Sequence, residues 1–197
     1  MAFADIIIGM LLFVWGLFKE WIGIFISPLK NLEMLWIIVP IWVNWFFTEF
    51  FQEKKGTSLG NAVTNGGIMV WVGIDWIRYM LRMISNNTLK LGWITSLKFL
   101  LALVVAVIGI FIVVEGIKTK RFVHFVGRVR ETTYIMVMVS PIIYGVVALS
   151  WKVLVSIIAF APLFYYAIEL IDRYLPSPKT YREREKTAQS ALEKPKI

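Results

Sequence analysis

Asp75, Arg78 and Arg82, set at i, i+3 and i+7 inside an apolar run, are the side chains of this sequence best placed to do chemistry. They belong to residues 61–86, NAVTNGGIMVWVGIDWIRYMLRMISN. At helical spacing Asn61, Thr64/Asn65, Ile68, Trp71, Asp75, Arg78, Arg82 and Asn86 share one face. Amides and charges on so apolar a segment suit a membrane helix whose polar side is turned from lipid, because a lipid-facing charge costs several kcal/mol. A carboxylate held there can bind a cation or a proton, or pair with a base on the same or a neighbouring helix. Asp75 and Arg78 are in reach of each other along one helix.

The elements that must position them follow from composition. The chain has 197 residues, 58% of them hydrophobic and 17% charged, with a mean hydropathy of +0.71. Soluble domains carry roughly 25% charged residues. The nine Trp and fourteen Phe suit residues that collect at bilayer interfaces. The expected fold class is all-α: a polytopic integral membrane protein, a bundle of about six transmembrane helices. At 1.5 Å per residue, six apolar segments are long enough or nearly so, at about 6–26, 34–51, 62–84, 93–117, 132–150 and 153–171. Together they form one six-span transmembrane domain over 1–172, followed by a basic cytoplasmic tail, 173–197. The first segment is interrupted by Lys19 and Glu20, and its alternative is an interfacial helix. Asp5 ahead of the apolar core argues against a cleaved signal peptide.

Orientation follows from the basic residues. Residues 118–131 carry five Lys or Arg and the tail from Arg173 carries seven. Both regions, with Lys54 and Lys55, fall on one side of a six-span chain, so the positive-inside rule puts both termini in the cytoplasm, at the cell membrane. Trp21, Trp36, Trp93 and Trp151 then mark the outer boundary. Within 120–130, Phe122, Phe125/Val126 and Val129 face away from Lys120, Arg121, His124 and Arg128, a pattern that suits either a basic helix on an anionic leaflet or a charged loop. Thr180 and Glu183 have capping-box spacing for a short tail helix. The net charge of +8 thereby implies acidic headgroups at the cytoplasmic face as partners, and no nucleic acid. With no Cys and the single His124, neither a metal site nor a cofactor is expected.

Counting depth from the helix ends places Lys19, Glu20, Asn44, Asp75 and Arg78 in one intramembrane layer, with Trp42, Trp45, Trp71 and Trp76 around it. Two readings compete. One is a polar cavity for an ion, a proton or a small solute; the other is a neutral network of two acids and two bases that fixes helix packing. Gly9, Gly16 and Gly23 on the first span, and Ala102, Ala106 and Gly109 on the fourth, offer small faces for close packing within the bundle or between subunits. Pro40, Pro141 and Pro162 are read as packing kinks. Asn86-Asn87-Thr88 matches the glycosylation sequon.

Residues 54–61, KKGTSLGN, lack P-loop spacing. Lys54, Lys55, Thr57, Ser58 and Asn61 could hold a phosphate headgroup at the start of the third helix, or form only a turn and an N-cap. No residue is assigned a catalytic role, and an enzyme is the lesser expectation. The leading expectation is a small transporter- or channel-like protein, or a subunit of one, using the cluster around Asp75. The alternative is a non-catalytic assembly protein binding copies of itself or other membrane proteins. The third is a lipid-active protein using the 54–61 loop.

Overall fold

The computed structural model describes residues 2–51, 59–118 and 128–174, and all regular structure among them is helical. The helices are α1 (Ala2–Ile26), α2 (Leu35–Phe51), α3 (Leu59–Ser85), α4 (Trp93–Ile117), α5 (Val129–Ile143) and α6 (Trp151–Tyr174). Two 3-10 turns, Ser27–Lys30 and Leu32–Met34, join α1 to α2. Three stretches are long and apolar enough to cross a membrane: Ala4–Lys30, Trp93–Ile117 and Trp151–Ile171. The others fall short for separate reasons. α2 and α5 have only 17 and 15 residues, while α3 dilutes its apolar run with amides and charges.

The long apolar helices α1, α4 and α6 lie outside and the short α5 inside. α5 is the central element, with eleven of its fifteen residues buried. α4 buries seven of twenty-five and leans almost entirely on α3. That contact is made by small residues. A Cβ on Gly109 would lie 2.6 Å from the Gly66 carbonyl oxygen, and one on Gly73 would lie 2.8 Å from both the Ala102 oxygen and the Ala106 Cβ. The small face expected on the fourth helix therefore packs inside this chain, against two glycines of α3. The glycines of α1 differ: a Cβ at Gly9, Gly16 or Gly23 meets nothing within 4 Å.

One helix end departs from the expected spans by several residues. The apolar run read as 132–150 stops being helical at Ile143. Gly145 takes φ +71°, and the Gly145 and Val146 N–H groups bond back to Ile142 O and Pro141 O. This is a Schellman closure, and it needs the left-handed conformation that glycine adopts without penalty. Ser150 then caps α6, its Oγ accepting from Val153 N at 3.3 Å. α3 closes in the same way at Asn87, φ +57°, with Thr88 N bonded to Met83 O. The sequon Asn86-Asn87-Thr88 is thus part of a helix cap, and the Thr88 hydroxyl is bonded to Met83 O at 2.8 Å.

The sense of α1 differs from that of an alternating bundle. Phe13 stacks on Trp151, Phe18 and Trp21 meet Phe160, and Phe25 stacks on Phe164. The two numberings rise together, so α1 and α6 run in the same sense. α2 also runs with α6, because both oppose α5: Arg130 near the start of α5 reaches Glu49 and Glu169, near the ends of α2 and α6. Two consecutive helices of one sense, joined by residues 27–34 alone, cannot both cross a bilayer. Even fully extended, eight residues span about 26–29 Å, less than the ~30 Å hydrocarbon core, and these residues are wound into 3-10 turns. α1 ends at about the level of Phe164 and Trp42, which contact each other, and its first half runs past the start of α6.

Candidate functional site

At one end of the bundle α3 supplies Asp75, Arg78, Tyr79 and Arg82, all within two turns of one face. Asp75 is 3% exposed, yet both its oxygens are engaged. Arg78 donates to Oδ1 from Nε at 2.9 Å and from Nη2 at 2.6 Å, and the Tyr144 hydroxyl donates to Oδ2. Tyr144 reaches that point because the Schellman closure of α5 leaves it as the C-cap residue. Its carbonyl accepts from the Tyr79 hydroxyl at 3.2 Å, and the two rings stack at 4.0 Å.

Glu33 joins from the turn before α2. Its N–H donates to the Asn31 Oδ1 at 3.2 Å, which orients the turn. Its carboxylate accepts from Arg82 and lies 4.0 Å from the Arg78 Nη2. Two acids thus face two bases, leaving no net charge. Beside them a groove of about 690 Å³ is walled by Leu32, Trp36, Trp71 and Ile74, with Glu33, Asp75 and Arg78 at its polar edge.

The structure brings Asp75 and Arg78 together and leaves the other three residues of the expected layer elsewhere. Lys19 and Glu20 are exposed on α1, and Glu20 lines a separate hollow with Lys152 and Gly16. Asn44 pairs instead with Asn65, its Nδ2 donating at 2.8 Å. Asn65 lies ten residues from Asp75, about 15 Å along α3. Depth counted from helix ends presumes flush ends. Here α3 has 27 residues and α2 only 17, so α3 overshoots and its last turns meet residues 27–34. Trp21, expected at a boundary, is buried and donates to the Tyr134 hydroxyl at 2.9 Å.

A second ionic set at the opposite end is absent from the sequence reading. Arg130 donates to Glu49 Oε1 from Nε at 2.8 Å and also from Nη2. Its Nη1 reaches Glu169 at 3.3 Å, and Arg173 lies 3.7 Å from that same carboxylate. The set ties α2, α5 and α6 together. Depth matching at that end would have found it, since all three residues lie near helix ends on one side. Three buried atoms there have no partner among the described residues: Glu49 Oε2, Thr133 Oγ1 and Trp45 Nε1. Between the two sets Ile37, Ile41, Val72, Met136 and Val137 are apolar and each at most 1% exposed, and the Asn44–Asn65 pair and the Trp76–Ser140 hydrogen bond lie in the same interval.

Asn61 is buried at the start of α3. Lys54, Lys55, Thr57 and Ser58 lie outside the described residues, as do most of the 120–130 segment and the tail beyond Tyr174. Among the described residues no three His, Asp or Glu side chains gather into a metal-binding set. Comparison with protein-family models, with curated proteins and with solved structures finds no match.

Proposed function

We propose that this chain is a non-catalytic membrane assembly protein, in which α2 to α6 cross the bilayer and α1 inserts part-way; the 3-10 turn before α2 and the connection after α5 complete the crossings of these two short helices. The observation that carries this reading is the pairing of Asp75: its two oxygens accept three hydrogen bonds and a base balances its charge. A carboxylate so engaged ties α3 to the end of α5. A site that cycles an ion needs a coordination position free for it. The buried apolar side chains between the two ionic sets support the same conclusion, because a conducting path needs polar or hydrated walls.

The surface available for assembly is α1. Ile6, Met10, Leu11, Phe13 and Trp15 are each 48–65% exposed, and Gly9 and Gly16 leave open space for a close neighbour. With five crossings, the positive-inside rule puts the C-terminal tail in the cytoplasm. The N-terminus then lies on the opposite side, beyond the level of Trp151, which stacks on Phe13. The membrane we assign is the cell membrane.

Transport remains the second reading. The groove beside Asp75 and the Glu49 Oε2, without a partner among the described residues, favour it. Flux of protons or monovalent cations into liposomes carrying the purified protein separates the two. The assembly reading expects no flux above empty liposomes. Flux that Asp75→Asn abolishes would replace it with transport.

A further inference from the structure

α4 is pinned to α3 by its small face and stands away from α5 and α6, leaving an apolar crevice of about 450 Å³. That volume is within the range of roughly 300–1,000 Å³ common for small-molecule sites. Leu101 and Val104 wall it on α4, Ile142 on α5, and Leu154 and Ile158 on α6; Lys98 is its one charged lining residue. Lys98 is half-buried, and the described residues supply it no ion pair.

We propose that this crevice holds one acyl chain of an anionic phospholipid, with the Lys98 ammonium on its phosphate. The level is right for a headgroup. Trp93 and Trp151, 82% and 59% exposed, begin α4 and α6, and tryptophan gathers at the membrane interface. Lys98 lies five residues below Trp93, about 7 Å along the helix, a distance its own side chain spans by snorkelling. Apolar walls alone accept any lipid tail; the unmatched cation selects an anionic head. The inference needs α4 and α6 in a bilayer but is independent of the role of Asp75.

Native mass spectrometry of the purified protein, with phosphatidylglycerol and phosphatidylcholine added at equal concentration, tests it. Phosphatidylglycerol should be retained in preference, and Lys98→Gln should lower its retention roughly fivefold, the effect of one basic residue near an anionic surface. Lys152→Gln should leave the preference intact, whereas Leu154→Trp, which fills the crevice, should lower retention of both lipids. Equal retention of the two lipids by the unaltered protein, or an unchanged preference in Lys98→Gln, would overturn the proposal. So would loss of the preference in Lys152→Gln alone, or full retention in Leu154→Trp.

Discussion

Arg130 carries more of the stability than its position near a helix end suggests. Its partner Glu49 is 6% exposed, so removing the guanidinium strands a buried carboxylate. The cost of breaking such a pair is about 3–5 kcal/mol. Arg130→Met should therefore unfold well below the parent protein in a detergent melt, and a melt within a degree of the parent would show that Glu49 finds another partner. Tyr144→Phe is a milder change. It removes one hydrogen bond to a charged acceptor, about 1.5–3 kcal/mol, and leaves the Tyr79 ring contact in place. The same unfolding measurement should rank it between the parent and Arg130→Met.

At the scale of elements, the α3–α4 contact is where sequence and packing meet most closely. Gly109→Leu must push α4 off α3, because its Cβ already falls 2.6 Å from backbone oxygen. Overpacking of this kind costs about 1–3 kcal/mol, occasionally more. Gly16→Leu has open space and should fold normally; a folding defect as severe as that of Gly109→Leu would show that α1 packs differently. The small face of α4 was legible because Ala102, Ala106 and Gly109 recur at helical spacing. Its partners Gly66 and Gly73 sit among the conspicuous polar residues of α3 and were read past. The Asp75–Arg78 contact was legible because i,i+3 geometry is local. Tyr144 and Glu33 were not, since they arrive through a Schellman turn inside an apolar run and through a 3-10 connection, neither of which hydrophobic periodicity marks.

For the whole molecule, the alternation of six spans came from counting apolar runs, which says nothing of the sense in which α1 packs. α1 has the length and composition to cross, but the eight residues after it cannot return the chain to the end where α2 begins. The five crossings proposed above would place Ile6 and Lys152 on one side and Arg173 on the other. With no native Cys in the chain, single cysteines at these positions can be probed in intact cells with an impermeant thiol reagent. Labelling at 6 and 152 but not at 173 is expected; labelling at 152 alone, with 6 and 173 both protected, would restore the alternating six-span chain.

The central claim is that the charges around Asp75 are a tie between helices and not a solute site, and a double-mutant cycle in detergent tests it most directly. Arg78 is half exposed, which discounts the pair below a fully buried one. Asp75→Asn and Arg78→Met should each lower stability by about 1–3 kcal/mol. Together they should cost less than the sum of the two, because removing both charges leaves neither stranded. Additive losses, or an Asp75→Asn protein as stable as the parent, would contradict the account.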